Sequence, residues 1–207
     1  MEKRSAQGQE TRSRLLEATS KLFRSQGFHA TGLDEVLRKS GAPKGSLYHY
    51  FPGGKDQLAI EALQYVACQL EEMMSALLHS DGDPLNALQG FLALMTQQLA
   101  ESDFRDGCPI AAVTLDVASD RESIRQACQQ GFQVWLRLFI EHLVNAGLSE
   151  ARAKTVATLF LAAFEGGLML SRAQKSVEPL EAVASELARV IEGSLAHRSR
   201  QASRQNS

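Results

Sequence analysis

The sequence predicts an all-α protein in which a small helical head of three helices precedes a larger helical body. Every strongly periodic segment repeats its apolar residues at helical spacing, and no segment alternates over the length of a strand. Glycine, proline and short polar stretches separate these segments, as they do at helix ends. With 207 residues and 44% hydrophobic content, the chain is long enough to bury a substantial core.

The charge of the chain is unevenly distributed. Residues 1–55 hold 10 Lys and Arg against 5 Asp and Glu, whereas residues 56–207 hold 12 against 19. The predicted head therefore has a balance of +5 and the body one of −7, although the whole chain carries only −2. A basic head on an acidic body is expected when only the head meets a polyanion.

The first two helices are predicted from their apolar faces and their ends. The first runs from about Gln9 to Gln26 and stops at Gly27. The second follows Thr31, and it ends after about two turns at the next glycine of "GLDEVLRKSG". Because Asp34 lies three residues after Thr31, we expect the two side chains to form a capping box at the start of this helix.

The third helix is predicted over "KGSLYHYF", after Pro43 at a first helical position. Leu47 and Phe51 lie one turn apart, so we expect both to pack inward, as a small helical core requires. Two short helices joined by a glycine-containing turn form a helix-turn-helix, whose second helix enters the major groove of DNA. Lys44 supplies positive charge for phosphate, and Gly45 lets the backbone approach the duplex closely. Tyr48 and Tyr50 offer hydroxyls to DNA, and His49 offers a ring nitrogen.

The glycine pair in "FPGGKDQL" is interpreted as a hinge. A phosphate-binding P-loop would need glycine in place of His49 and Ser or Thr in place of Asp56, and it would follow a strand. Gly53 and Gly54 instead end the third helix and open a fourth, which places Lys55 near a helix N-terminus. A lysine at that position can meet a backbone phosphate together with the helix N–H groups.

The body is predicted to continue in helices as far as residue 197. Its helices are expected near residues 55–79, 84–103, 109–118, 120–146, 149–175 and 179–197. The predicted domains are 1–54, which binds DNA, and 55–197, followed by a polar tail at 198–207 that is expected to be disordered.

Several classes of protein are excluded by what the sequence contains. The N-terminal "MEKRSAQGQETRSR" has no apolar stretch behind it, so we expect no signal peptide and a cytoplasmic protein. The most apolar segment, 156–170, is interrupted by Glu165 and falls short of the roughly 20 residues of a membrane span, so no membrane partner is expected. The three cysteines are far apart, which favours reduced thiols over disulfides, and no metal or cofactor is expected.

The segment 15–58, "LLEATSKLFRSQGFHATGLDEVLRKSGAPKGSLYHYFPGGKDQL", resembles the N-terminal DNA-binding domain of the TetR family of bacterial transcriptional regulators. "FPGGKDQL" and "DGCPIAAVTLDVAS" resemble its LmrA/YxaF-like multidrug-type subgroup. One departure is Pro43, which stands where the family often has Ser or Thr, so Lys44 and Ser46 are expected to take more of that role. The positions that this resemblance assigns to DNA contact are Thr31, Lys44, Gly45, Ser46, Tyr48, His49, Tyr50 and Lys55.

The resemblance also implies an effector pocket and a dimer interface. A pocket between the body's helices is implied, although ordinary core packing accounts for the same side chains. The candidates for this pocket are Phe91, Met95, Cys108, Val113, Trp135, Phe139 and Phe164. The two C-terminal helices are rich in Ala and Gly, so they are expected to form a homodimer that matches a palindromic operator, unless these small residues only serve packing within the chain.

The function predicted from these features is a repressor that small apolar aromatic molecules release from DNA. A helical enzyme with a DNA-binding head is disfavoured, because the sequence has no GxSxG, zinc-ligand spacing or paired carboxylates. A thiol-based redox sensor is the second alternative, because the turn before Pro109 could expose Cys108. Reaction with an oxidant, set against release by small molecules, distinguishes these two regulators. As a bacterial regulator, the protein is expected in the cytoplasm and, when bound to DNA, at the nucleoid.

Overall fold

A computed structural model describes the backbone of residues 2–81, 84–117 and 121–205, and the side chains of 7–77, 85–117 and 121–195. All regular structure in these ranges is α-helical, which confirms the predicted fold class. The helices are α1 (Glu2–Gln26), α2 (Leu33–Ser40), α3 (Ser46–Tyr50), α4 (Gly54–Asp81), α5 (Pro84–Glu101), α6 (Pro109–Val117), α7 (Glu122–Asn145), α8 (Glu150–Gln174) and α9 (Glu178–Gln205).

The chain divides into two compact units. The first unit contains Met1–Gln69 and Gly107–Phe132, and the second contains Leu70–Asp106 and Gln133–Ser207. Helices α4 and α7 each contribute their N-terminal part to the first unit and their C-terminal part to the second. The helix-turn-helix thus shares its unit with α6, whereas the division into functional domains at residue 54 stays a prediction.

The first unit is built around α1. This helix packs against α2, α3 and α6, and it buries Leu15, Leu22 and Phe23 almost completely. Leu47 of α3 and Phe51, which directly follows the helix, belong to the same core, and both side chains are fully buried, as the sequence predicts. The inward faces of these short helices therefore hold the head together.

Two details of the head differ from the prediction. The N-cap of α2 is Gly32, which makes no side-chain cap, and the capping box predicted for Thr31 and Asp34 does not form. Thr31 is buried, and its hydroxyl donates to the carbonyl of Gly27 at 2.6 Å. Because that carbonyl lies at the end of α1, the Thr31 hydroxyl provides a hydrogen bond to the preceding helix instead of capping the following one. Helix α3 also begins later than predicted, at Ser46.

The second unit has an aromatic core and a close contact between α8 and α9. A Cβ atom at Gly167 on α8 would lie 3.1 Å from Leu180 and 3.3 Å from Val183 on α9. Gly167 therefore permits two helices of one chain to approach, whereas a Cβ at Gly166 would meet nothing within 4 Å.

Helices α8 and α9 concern two predictions from the sequence, that no segment spans a membrane and that the chain is disordered after residue 197. Helix α8 is long and apolar enough to cross a membrane by length and composition, but 39% of its most apolar window is buried within the protein. A core helix meets the same criterion. Helix α9 continues through Gln205, where a disordered tail is predicted from residue 198, because no glycine or proline follows Gly193 to end it. Residues 206 and 207 lie outside the described residues.

The glycines that flank α2 provide a matched test of the head. Gly41 ends the helix at φ +62°, whereas Gly32 precedes it at φ −90°. We expect Gly41→Ala to lower the free energy of unfolding by about 1–2 kcal/mol, because a side chain disfavours the left-handed region. Gly32→Ala should change it by less than about 0.5 kcal/mol. Urea denaturation followed by circular dichroism measures both, and equal effects would contradict the assigned backbone.

Candidate nucleic-acid interface

The exposed side of α3 and of the turn before it carries four of the residues predicted to contact DNA. Tyr48 is 63% exposed, although it lies between residues of a packed helix. Lys44, Gly45 and His49 are exposed as well. Burial of Leu47 on the other side of α3 fixes which face points outward. The arrangement presents a cation, a phenol and an imidazole beside a stretch of backbone without a side chain.

Tyr50 and Ser46 lie at the edge of this surface and are half-buried. The Tyr50 ring meets the His49 ring edge-on with centroids 4.9 Å apart, and its hydroxyl lies close to Gly8 of α1. The Ser46 hydroxyl donates to the carbonyl of Pro43 at 2.6 Å. Ser46 therefore uses its only hydroxyl proton inside the turn and has none to donate to phosphate while that bond holds.

Thr31 and Lys55 are held by contacts within the head. The Thr31 hydroxyl is buried, so we do not include it in the interface. The Lys55 ammonium donates to the carbonyl of His29 at 3.3 Å and lies 4.4 Å from the centre of the Phe28 ring. Burial lowers the pKa of Lys55, and the nearby guanidinium of Arg121 lowers it further. A phosphate contact by Lys55 stays a prediction that requires its ammonium to leave these partners.

Three basic residues that were not predicted to contact DNA also border the turn between α2 and α3. Arg38 and Lys39 are exposed in the last turn of α2. Arg14 of α1 approaches Gly41, where a Cβ atom would lie 3.8 Å from its guanidinium. The pair Arg38-Lys39, directly before a predicted helix end, was the sequence signal for these residues.

Five buried aromatic rings form the centre of the second unit. Phe91 of α5 contacts four of them at centroid distances of 5.2–6.2 Å, in tilted and edge-on geometries. The other four rings are Trp135, Phe139, Phe160 and Phe164. Of these, Phe160 was not among the predicted pocket residues, although its spacing of four from Phe164 on α8 pointed to it. The rings pack against one another, as in an ordinary core.

Two cavities of very different size occur in this unit. One beside Phe139 and Phe160 has a volume of about 20 Å³, which is room for one water molecule. The other, an open groove of about 780 Å³ between α5 and α9, is lined by Leu92, Thr96, Ala188 and Arg189, among others. Drug-sized ligands occupy sites of about 300–1,000 Å³. The cavity beside Phe139 and Phe160 is too small for such a ligand, whereas the groove between α5 and α9 is large enough.

The remaining predicted pocket residues are dispersed. Met95 is half-buried on α5 in the second unit, whereas Cys108 and Val113 are buried in the first. The turn before Pro109 therefore does not expose Cys108, which weakens its case as a redox sensor. Burial also raises the pKa of Cys128, which keeps that thiol protonated. Among the described residues, no cluster of three or more His, Cys, Asp or Glu could hold a metal ion.

Two successive segments of the chain match known protein families. Residues 15–62 match the family described as bacterial regulatory proteins, tetR family. Residues 84–186 match the C-terminal domain described as transcriptional regulator LmrA/YxaF-like.

Individual relatives extend this likeness over most of the chain. The HTH-type transcriptional regulator YxaF of Bacillus subtilis is 36% identical over 86% of this chain and 93% of its own. The HTH-type transcriptional regulator LmrA of the same organism is 35% identical over 85% and 94%. The crystal structure of the regulatory protein TetR from Rhodobacter sphaeroides has a TM-score of 0.77 at 22% identity and covers 86% of this chain and 96% of that one. At this level of identity, the similarity shows only that the two proteins share a fold.

The exposed face of α3 yields a test with two variants. Tyr48→Phe should weaken binding to a specific duplex by about 1 kcal/mol, the usual contribution of one hydrogen bond. Lys44→Ala should reduce the slope of log affinity against log salt by about one unit, because one phosphate contact is lost. Fluorescence anisotropy over a salt series measures both effects. Lys154→Ala, which removes an exposed lysine of α8, is the matched control and should leave the slope unchanged. Wild-type binding by both head variants would remove α3 from the interface.

Proposed function

Because the chain belongs to the TetR family of bacterial transcriptional regulators, we propose that it represses transcription as a homodimer on a palindromic operator and dissociates when a small apolar aromatic effector binds. The observation that carries DNA recognition is the exposed Tyr48 and His49 on a helix whose opposite face is buried, together with the exposed Lys44 in the turn before that helix. Repression requires only that the operator be occupied, whereas activation requires a further contact surface. We expect the protein to act in the cytoplasm, at the nucleoid when it is bound to DNA.

The proposed dimer uses an uncharged stripe along α8. Leu159, Met169 and Leu170 are 48%, 63% and 47% exposed, which is unusual for large apolar side chains on one helix. Between them lie the small residues Ala162 and Gly166, at spacings of three and four that keep the stripe on one face. A two-fold axis would place this stripe against the same stripe of a second chain, so that both copies are buried. Gly167 faces α9 of the same chain, so Gly166 is the position at which a partner helix approaches.

An inverted-repeat operator follows from this symmetry. Two copies related by a two-fold axis present their α3 helices in opposite senses, so the half-sites they bind must also be related by a dyad. The five residues of α3 contact few base pairs, and one head alone would bind weakly. Linking two heads through α8 raises the affinity without adding any base contact within a half-site.

The proposed effector binds among the aromatic rings of the second unit. Trp135 is 5% exposed, and its indole N–H has no hydrogen-bond partner among the residues whose side chains the structure describes. A buried donor without an acceptor costs about 1–3 kcal/mol, which a ligand oxygen placed beside it would recover. The surrounding rings supply apolar faces for stacking. An aromatic compound that carries an oxygen acceptor therefore fits this site better than a charged or phosphorylated one.

The two alternatives predicted from the sequence fare differently. The family consists of regulators, so the protein is not an enzyme. A redox-sensing regulator would need a reactive thiol, whereas Cys108 and Cys128 are buried and only Cys68 is exposed among the three. Release by small molecules is therefore the better supported mode of regulation.

Selection from a pool of random-sequence duplexes tests the dimer and its operator together. We expect the wild-type protein to enrich an inverted repeat and to bind it as two chains per duplex, as measured by multi-angle light scattering. Gly166→Glu should raise the dimer dissociation constant by at least about 100-fold, because the two-fold axis buries two like charges. Gln133→Glu adds the same charge at an exposed position of α7 and is the control. A wild-type monomer at micromolar concentration that binds its duplex tightly would contradict the interface.

Trp135 provides the test of the effector site, because it is the only tryptophan of the chain. Planar aromatic compounds with oxygen acceptors are titrated while the emission of Trp135 is followed, with and without the selected duplex. A coupling of about 1–3 kcal/mol predicts that the duplex weakens the ligand by roughly 5–150-fold, and that the ligand weakens the duplex equally. Equal ligand affinity in both states would contradict allosteric release. A ligand that releases DNA without changing the emission would place the effector elsewhere, for example in the α5–α9 groove.

A further inference from the structure

The loop between α1 and α2 is bonded to the last turn of α6. The carboxylate of Asp116 accepts hydrogen bonds from the backbone N–H groups of Phe28, at 2.7 Å, and of His29, at 3.2 Å. The His29 ring nitrogen Nε2 also lies 3.1 Å from the Asp116 carbonyl oxygen. One residue of α6 thus holds two successive amides of a loop that lies 87 and 88 positions away in the sequence.

The backbone at Gly27 leaves room for the Asp116 carboxylate. A Cβ atom on Gly27 would lie 2.4 Å from the Asp116 carboxylate oxygen, and Gly27 has a φ of +73°, so both space and conformation favour glycine. Phe28 is buried against Phe23 of α1, with ring centroids 6.1 Å apart. The hydrogen bonds therefore act on a loop that is already fixed to α1 by its phenylalanine.

Two cations surround the same loop. Arg121 lies over the Phe28 ring at 5.2 Å and pairs with Asp56 at 2.5 Å, near the start of α4. Lys55 reaches the carbonyl of His29 from α4. Charged and hydrogen-bonded groups from α4, from α6 and from the segment before α7 thus meet at the short loop that connects α1 to α2.

We propose that Asp116 is a positioning residue for DNA binding: by holding loop 27–29 against α6, it sets the orientation in which α2 and α3 meet the operator. This inference rests on the proposed function and names how its DNA-binding surface is regulated. Both amide bonds run to one carboxylate oxygen, so a displacement of α6 breaks them together. Operator affinity then depends on where α6 lies, although no residue of α6 was predicted to contact DNA.

The positioning role and a general effect of charge predict opposite changes in DNA affinity. Removal of a negative side chain from a DNA-binding protein, by itself, strengthens its binding to a polyanion. Loss of a positioning contact weakens specific binding and leaves non-specific binding intact, because phosphate contacts tolerate a misaligned head. The two effects therefore have opposite signs for the specific duplex.

The experiment compares Asp116→Ala and Asp116→Asn with Glu122→Ala. Glu122 is an exposed carboxylate of the same unit that pairs with Arg125 on α7, so its removal matches the change in charge. The probes are the duplex that the wild-type protein enriches and a random-sequence duplex of equal length. Asp116→Ala should weaken the enriched duplex at least about tenfold, with unchanged or tighter binding of the random duplex. Asp116→Asn keeps an acceptor oxygen and should recover most of the loss.

Hydrogen exchange measures the contact itself. The amides of Phe28 and His29 should exchange faster in Asp116→Ala than in the wild type or Glu122→Ala, whereas a thermal melt monitors the fold of each variant. If Asp116→Ala binds the enriched duplex as tightly as Glu122→Ala does, the positioning role is wrong, whereas the proposed function is not affected. A wild-type protein that enriches no duplex would overturn the proposed function, and this proposal with it.

Discussion

Helix α3 has only five residues, and a helix of that length is not stable by itself in water. It exists because Leu47 and Phe51 are completely buried against the other helices of the head. That burial also decides which side chains remain outside, since the residues between these two anchors must point the other way. The proposed DNA-binding surface is therefore a consequence of core packing, and a change to either anchor is expected to alter recognition without changing a residue proposed to contact DNA.

The pattern of apolar residues was sufficient to predict the helices and the inward faces of α2 and α3. It was not sufficient to place Thr31 or Lys55, because their partners are chosen by the tertiary structure. Local capping rules assign Thr31 to the helix that follows, whereas its hydroxyl reaches the carbonyl of Gly27 behind it. Lys55 has the sequence position of a phosphate ligand, but a neighbouring carbonyl and aromatic ring hold its ammonium. Asp116 stands out as a charge in an apolar segment, but that segment does not identify its partners, because the amides it binds are 87 and 88 residues away.

The aromatic residues of the body show why composition alone cannot separate a core from a ligand site. Burial of Phe91, Trp135 and Phe164 satisfies the hydrophobic effect whether or not a ligand ever enters. What distinguishes this cluster is the indole N–H of Trp135, which lacks an acceptor among the described residues, whereas buried polar groups are usually hydrogen-bonded. The sequence could predict which rings gather, but the state of that donor becomes visible only when all its neighbours are known.

The proposed response to an effector has a physical route that begins on one helix. Trp135 and Phe139 lie on the C-terminal part of α7, and Gly131 on the same helix approaches α6 so closely that a Cβ atom would lie 2.8 Å from Ile110. A ligand that displaces Trp135 or Phe139 would act on α7, and the close packing of Gly131 against Ile110 would pass a displacement of α7 on to α6. Asp116 follows Ile110 on α6 and holds the loop that leads into α2. Because these hydrogen bonds are either made or broken, a small shift of α6 can be converted into a discrete change in the orientation of α3.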